Sequence, residues 1–390
     1  MVRLAVIADS HWDEQSRFEE CIRIHDWIAE DIRARGVDLV LHAGDVFERK
    51  STPTERAAVA EWLQRVAEHA PVVVVRGNHD AVGDLSIFAK LRTRHPVIVE
   101  EALGVHVLGG VAVACLAWPR KAEIHARLGS QVGHEESEQI ASSALRTVIQ
   151  GLGEDLRRHN GPRVFLTHAM VTGSKTSLGQ PLVGCDLEVG LEDLRAAEAD
   201  FYALGHIHLP QDWDGPIVYP GSPRRTAFGE TEDKGYVLVD LENESREARW
   251  SRIPTPCTPM LLLTGRVDDV DDPETGESFR SIVLDENPED VTGAEIRLRF
   301  AVPADERDAI RARAEAWKQH FLGRGAAHVK VEEQVIATTR ARAPEIATAK
   351  SIEEKLRTVW EARDDVPPEE RASRLVSKAV ELEGEVLHAS

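Results

Sequence analysis

Val72-Val73-Val74-Val75-Arg76-Gly77-Asn78-His79-Asp80 sets four β-branched apolar residues directly ahead of a turn that holds an Asn, a His and an Asp. A short β-branched run ended by Gly reads as a buried strand entering a loop. The same order of events recurs four times. Leu4 to Ala8 leads into Asp9-Ser10-His11, and Val37 to Leu41 into Gly44-Asp45. Val164 to Leu166 leads into Thr167-His168, and Phe201 to Leu204 into Gly205-His206-Ile207-His208. Side chains placed just past the carboxyl ends of successive strands converge on one rim of an open α/β sheet. A lone His-x-His is usually a surface or core pair; five such segments in order make a site. The donors are Asp, Asn and His without Cys, which favours Mn, Fe or Mg over a structural zinc.

Such a set suits phosphate-ester hydrolysis, which needs an activated water, neutralised phosphoryl oxygens and a protonated leaving group. Two divalent ions about 3.5–4 Å apart supply the first two. One carboxylate must bridge them, and Asp45 stands in the middle of the series. Asp-x-His and His-x-His spacing points both side chains the same way from extended backbone. Asn78 adds a neutral oxygen, which limits the negative charge a phosphate would meet. His79 points away from Asn78 and is the natural general acid. Glu48 has two readings: the carboxylate that orients His79, or a solvated residue on the approach to a helix. Asp80 is expected to stabilise its loop by accepting backbone hydrogen bonds, and His42 to be a satisfied core histidine.

At 390 residues the chain should form two or three domains. Its 42% hydrophobic content is ordinary for a globular protein. No apolar run approaches the roughly 20 residues that cross a bilayer, so no membrane role is expected. Met1-Val2-Arg3-Leu4 enters a strand without a charged leader or cleavage site. Cys21, Cys115, Cys185 and Cys257 are scattered and read as reduced thiols, so a cytoplasmic protein is expected. The net charge of −20 runs against a nucleic-acid partner. Yet Arg49-Lys50, Arg120-Lys121, Lys175 and Arg224-Arg225 all fall beside ligand segments or strand ends. Either they are ordinary surface charge or they form a locally positive, DNA-binding rim; their shared position favours the rim.

Residues 1–250 alternate strand and helix signals, as a four-layer α/β/β/α sandwich would. Phe18, Cys21, Ile22, Ile28 and Ile32 recur at helical spacing up to Gly36. Thr52-Pro53-Thr54-Glu55 is a capping box with Pro at the first helical position. A further helix is expected from Glu136 to Arg158. Pro254, Pro256 and Pro259 mark a linker. Residues 258–338 then read as a small α+β domain with an acidic loop through Asp268, Asp269, Asp271 and Asp272. After a second linker at Ala343-Pro344, residues 344–390 carry two apolar stripes, Ile352-Leu356-Val359-Trp360 and Leu375-Val376-Ala379-Leu382. These helices either pack on their own domain or form a docking arm for another protein's helices.

The five segments resemble the calcineurin-like metallophosphoesterase superfamily over residues 1 to about 240. A narrower resemblance, to the SbcD-type DNA-repair nucleases, rests on Tyr219-Pro220-Gly221-Ser222-Pro223-Arg224-Arg225-Thr226-Ala227-Phe228-Gly229-Glu230 and Lys234-Gly235-Tyr236. It implies one metal ion on Asp9, His11, Asp45 and His208, another on Asp45, Asn78, His168 and His206, and His79 as the transition-state acid. It further implies Mn-dependent cleavage of DNA, a DNA-capping second domain and a homodimer. The helical arm would bind an SbcC-like coiled-coil ATPase; the chain itself has no Walker A segment. Archaeal and eukaryotic members carry His where Glu48 stands, and that His is tied to exonuclease action; the acidic residue here resembles the superfamily phosphatases and bacterial members, leaves Glu48 to partner His79 and leaves the balance of exonuclease and endonuclease action open. The alternatives are a small-substrate nucleotide phosphodiesterase or phosphatase of the same superfamily, and a scaffold that has kept the fold without the chemistry.

Overall fold

Alternation along β1 (Val2–Ile7) divides its side chains between two cores: Leu4 and Val6 enter one, Ala5 and Ile7 the other, and all four are buried. The same split occurs in β2 (Leu39–His42) and β3 (Val72–Val75), where Leu41 and Val73 share a core with Leu4 while Val40 and Val74 join Ile7. Strands covered on both faces are apolar throughout, which is why these segments read as continuous runs.

In this computed structural model, residues 1–120, 134–177, 187–213, 215–271, 275–336, 351–362 and 367–388 are described. Lys121, Cys185, Asp272, Ala343 and Pro344 lie outside them. The next strands are β4 (Val97–Glu100), β5 (Leu103–Leu108), β6 (Val111–Leu116), β7 (Arg163–His168), β8 (Met170–Val171), β9 (Glu188–Val189) and β10 (Phe201–Gly205). Then come β11 (Gln211–Trp213), β12 (Ile217–Tyr219), β13 (Gly235–Leu241) and β14 (Ala248–Pro254). Twelve of these fourteen form two six-stranded sheets, ordered β14-β13-β1-β2-β3-β4 and β11-β12-β10-β7-β6-β5, and β8 pairs with β9. Strands β1, β2 and β3 run parallel, as do β6, β7 and β10.

Three cores account for the layers. The central one takes Leu4, Leu41 and Val73 from the first sheet and Val113, Leu166 and Ala203 from the second, so it lies between the sheets. Another packs Ile24, Ile28 and Trp62 of α1 (Phe18–Ala34) and α2 (Pro53–Ala67) on the outer face of the first sheet. The third packs Leu145 and Ile149 of α3 (His134–Arg157) on Phe165 and Tyr202 of the second. Each buried Leu or Ile contributes roughly 1.5–3 kcal/mol. The result is an α/β/β/α sandwich. Its capping box forms as expected, with Thr52 Oγ1 accepting from Glu55 N at 3.2 Å and Glu55 Oε2 from Thr52 N at 2.8 Å. A short helix, α4 (Leu191–Arg195), precedes β10.

Four further strands, β15 (Met260–Asp271), β16 (Ser278–Leu284), β17 (Glu295–Pro303) and β18 (His328–Ile336), form a sheet ordered β16-β15-β17-β18. Helices α5 (Arg307–Gly323), α6 (Ile352–Ala362) and α7 (Glu369–His388), with a 3₁₀ helix over Leu85–Lys90, complete the described elements. The chain divides into two compact units, the first being Met1–Gly265 with Leu284–Arg299 and Ala314–Glu332, the second Arg266–Val283, Phe300–Arg313 and Glu333–Ser390. Asp268, Asp269 and Asp271, expected in a loop, belong to strand β15. Asp is a poor strand former, but Arg280 on the neighbouring strand stands 3.6 Å from Asp269 and neutralises it. In the second unit, α6 and α7 touch each other. Ala372 is buried, whereas Leu375, Val380 and Leu382 are 43%, 50% and 48% exposed. No described helix is long and apolar enough to cross a membrane.

Candidate metal centre

The parallel strands deliver all five segments to one place. Asp9 and His11 follow β1, Asp45 follows β2, Asn78 and His79 follow β3, His168 ends β7, and His206 and His208 follow β10. The loops interlock through backbone bonds from Asp9 N to Gly44 O (3.1 Å), His11 N to Asp45 O (3.1 Å) and Trp12 N to Val46 O (2.8 Å). Asp80 ties two of them together, its oxygens accepting from Phe47 N at 2.9 Å and Gly77 N at 2.8 Å. Burial, then the nearby Asp45, pushes the Asp80 carboxyl up to about 6. Close approach explains two glycines: a Cβ at Gly77 would overlap Asp45 Oδ1 and N, and one at Gly205 would overlap Ala43 O.

Strain collects here. Seven described non-glycine residues have positive φ, and four of them are Asp9 (53°), His11 (46°), Asp45 (52°) and His206 (109°). Left-handed backbone costs a side-chain-bearing residue on the order of 1–2 kcal/mol, so the surrounding bonds must hold these four in place.

Two buried carboxylates are used alike. Asp9 Oδ1 accepts from His206 N at 2.9 Å, and Asp45 Oδ1 accepts from His79 N at 2.9 Å. Their second oxygens turn into the site. Asp9 Oδ2 is buried without a hydrogen bond; Asp45 Oδ2 lies 3.8 Å from His11 Nε2 and 3.3 Å from His168 Nε2, between two clusters. Asp9, His11 and His208 bring donor atoms within 4.8 Å of one another, as do Asp45, His168 and His206. Asn78 Oδ1 joins the second cluster, 2.8 Å from His168 Nε2 and 3.0 Å from His206 Nδ1.

Contacts on the outer nitrogens fix three imidazoles. His168 Nδ1 donates to Ala43 O at 2.7 Å, and His11 Nδ1 faces Glu48 Oε2 at 2.7 Å. Thr226 Oγ1 gives its proton to Glu230 Oε1 (3.1 Å), so it accepts from His208 Nδ1 (3.3 Å). Each Nε2 therefore turns inward, and those of His11 and His208 lie only 3.0 Å apart. Two lone pairs that close, beside an unbonded carboxylate oxygen, call for a cation. The donor set fits divalent ions. Burial opposes charge on His168, but Asp45 and then Asp9 outweigh it and raise it to about 9. His206, desolvated and beside His168, is held down at about 3.

His79 stands at the opening, its Nδ1 2.8 Å from the Glu48 carbonyl. Burial works against its charge, but Asp45 and then the Glu48 carbonyl raise its pKa. The Glu48 carboxylate faces both histidines: Oε1 lies 3.8 Å from His79 Nδ1 and adds to its support, after Asp45 and the Glu48 carbonyl, while Oε2 lies 2.7 Å from His11 Nδ1. A cavity of about 360 Å³, lined by His11, Asp45, Glu48, Arg49, Asn78, His79, His206, His208 and Arg224 among others, opens over these groups.

The expected basic rim is only partly assembled. Arg49 pairs with Asp13, and Lys50 and Lys175 are exposed. Arg120 is half-buried. Arg224 is buried at 2% exposure because Nη2 donates to His11 O at 2.7 Å. Arg225 donates to Glu230 O and Glu232 O at 2.9 and 3.1 Å. Neither presents a free guanidinium to the surface.

Sequence reasoning missed three supports. Ser10 Oγ lies 2.8 Å from both His25 Nε2 and His42 Nε2, and His25 Nδ1 donates to Cys21 O at 2.8 Å. Ser10 therefore donates to His25 and accepts from His42; desolvation holds both imidazoles at about 3. Trp118 stacks on His206, ring centroids 4.8 Å apart; its place two residues past β6 was the available signal. The third is the Thr226-Glu230 pair.

Residues 2–244 match the calcineurin-like phosphoesterase superfamily domain. The chain belongs to that superfamily. Among its curated relatives, the SbcD component of the nuclease SbcCD from Escherichia coli strain K12 is 29% identical over 277 residues, 64% of this chain and 67% of that protein. The same component from Bacillus subtilis is 25% identical over 276 residues, 65% and 69% of the two chains. DNA double-strand break repair protein Mre11 of Archaeoglobus fulgidus is 30% identical over 306 residues, 63% and 60%. The matches thus span about two thirds of the relatives' length or less. In this phosphoesterase all seven donor residues lie inside the matched span.

Proposed function

We propose that the protein is a two-metal-dependent DNA nuclease of SbcD type, with exonuclease and endonuclease action on DNA ends during repair. The observation that carries this reading is Asp45 Oδ2, set between an Asp9-His11-His208 cluster and an Asn78-His168-His206 cluster. Asp45 would serve both ions, and the two clusters would each hold one divalent ion, manganese first, with magnesium or iron as substitutes. Bound there, two ions supply an activated water and charge neutralisation for the phosphoryl oxygens.

The chain's own residues do the rest. Asp9 and Asp45 each give one oxygen to a backbone N–H and keep the other for the site. His11, His168 and His208 are held with Nε2 inward by Glu48, Ala43 and Thr226. His79, half-exposed and with a raised pKa, keeps a proton on Nε2 for the departing ester oxygen while its Nδ1–H is anchored on the Glu48 carbonyl.

DNA is favoured as substrate by relatives whose names are those of nucleases and a double-strand break repair protein. On this reading residues 1–250 are the nuclease domain, 258–338 a DNA-capping domain and 344–390 an arm for an SbcC-like coiled-coil ATPase, in a cytoplasmic homodimer. The net charge of −20 and the buried Arg224 favour a second reading, a phosphodiesterase or phosphatase of small esters. Incubation with manganese and end-labelled linear or hairpin DNA, with and without the ATPase, tests the first. Faster turnover of a free cyclic nucleotide than of any DNA would replace it by the second.

A further inference from the structure

The segment Arg224 to Lys234 contains none of the metal-binding residues, yet its side chains close on the backs of two of them. Arg224 donates to the carbonyl of His11 at 2.7 Å. Lys234, 1% exposed, donates from Nζ to the carbonyl of His208 at 3.2 Å. It is held there by Glu232 Oε1 at 2.7 Å and by Glu230 Oε2 at 3.1 Å. Glu230 is equally buried, and it accepts from both the amide (3.0 Å) and the hydroxyl (3.1 Å) of Thr226. That hydroxyl reaches His208 Nδ1 at 3.3 Å.

Removing a lysine and a glutamate from water is expensive, and a well-packed apolar pair often serves stability as well or better. Here the ion pair has a chemical consequence. A carboxylate can only accept, so Thr226 must donate to Glu230 and must accept from His208 Nδ1–H. The lone pair of His208 is thereby confined to Nε2, the atom that faces His11 Nε2 at 3.0 Å. Partners of this kind orient metal-binding imidazoles and raise their basicity.

We propose that Glu230 and Lys234, acting through Thr226 and the His208 carbonyl, are positioning residues that set the affinity of the Asp9-His11-His208 site alone. The inference rests on the two-metal reading above. It gives the glycine- and charge-rich stretch after β12 a task distinct from substrate contact. An amide at position 230 could donate to Thr226, whose hydroxyl would then be free to donate to Nδ1. That would move the His208 proton to Nε2, where it blocks a metal.

The test is manganese titration of the full chain by electron paramagnetic resonance, with ¹⁵N-imidazole spectra of the metal-free protein. Glu230→Gln and Thr226→Val should each keep one ion at wild-type affinity and bind the other about 10–100-fold more weakly. The His208 signals should lose their Nδ1–H signature. Thr226→Ser, which keeps the hydroxyl, should restore both readouts. Thr226→Val leaves the buried ion pair untouched, so the test stands even where Glu230→Gln fails to fold. A wild-type chain without two manganese sites would remove the two-metal reading and this inference with it. Two wild-type sites left unchanged in both variants, or weakened equally, would overturn the inference alone.

Discussion

The carboxylate of Glu48 closes on His11, with Oε2 2.7 Å from Nδ1, while its backbone carbonyl holds His79 at 2.8 Å. One residue therefore serves both histidines through different atoms. Glu48→Gln removes the carboxylate charge that faces both histidines and keeps the backbone carbonyl. Manganese affinity at the Asp9-His11-His208 site should fall about 10–100-fold, while the alkaline limb of the pH–rate profile moves only slightly towards lower pH. That shift is small because the Glu48 carboxylate ranks behind Asp45 and the Glu48 carbonyl in supporting the His79 charge. A large displacement of the limb at saturating manganese would restore Glu48 as the electrostatic partner of His79.

His79→Ala separates proton donation from metal binding. The ring reaches the cavity opening, and the retained backbone N–H continues to occupy Asp45 Oδ1. Both ions should remain at wild-type stoichiometry, and turnover should drop about 10²–10⁴-fold. Elemental analysis alongside single-turnover rates decides the matter: loss of one ion would make His79 a ligand instead.

How much of this was legible beforehand depends on how local each signal is. Asp9, Asp45, Asn78, His168 and His206 each follow a run of strand-forming residues, so their convergence could be read without knowing the loop conformations. The Glu48–His11 bond could not, because it is set by loops that meet through the Trp12–Phe47 bridge, far apart in sequence. Ser10, between Asp9 and His11, gave no signal of its own, since its partners His25 and His42 lie on another helix and strand. Asp268 and Asp269 misled through composition: poor strand formers sit in a strand, with Arg266 3.2 Å from Asp268 and Arg280 3.6 Å from Asp269. Arg224 and Arg225 misled in the opposite sense, because charge was taken as exposure.

His168 gives metal binding a pH dependence with a definite sign. Without metal, burial disfavours its charge but Asp45 and Asp9 raise it to about 9, so at neutral pH an entering ion must displace a proton. Affinity of the Asn78-His168-His206 site should therefore climb about tenfold per pH unit up to pH 9 and level off above it. Calorimetry in buffers of different ionisation enthalpy should register about one proton released from this site at pH 7. Release of none, or affinity that falls as pH rises, would show that His168 is neutral before metal enters.

Gly77→Ala probes the interlocking of the loops. A methyl group there would strike Asp45 Oδ1 and the Asp45 amide, neither of which can retreat without moving the carboxylate proposed to serve both ions. Overpacking of this kind costs about 1–3 kcal/mol, which should lower the melting temperature and abolish two-ion binding together. A variant that melts like the parent and binds two ions would mean that the loops after β2 and β3 are looser than their contacts imply.

Residues 344–390 should behave as a docking arm. Helix α6 is only 11 residues long and α7 20; isolated helices shorter than about 12–15 residues are marginal in water, so α6 at least needs an apolar surface to pack on. Within the second unit they touch each other, yet Leu375 and Leu382 of the α7 stripe remain 43% and 48% exposed, and Val380 beside them 50%. Apolar residues left open along one helix suit a surface supplied by a partner, which on the proposed function is the SbcC-like coiled coil. Deleting residues 344–390 should then leave manganese-dependent cleavage of short DNA and the melting temperature of the remainder unchanged, while co-purification with that ATPase is lost. Trp360 is half-buried and the largest apolar side chain of α6. Buried aromatics dominate such interfaces, so Trp360→Ala should weaken the complex by about 2 kcal/mol or more, roughly 30-fold. A truncated chain that aggregates or melts early with no partner present would show that the two helices belong to this protein's own core, and the docking arm would have to be given up.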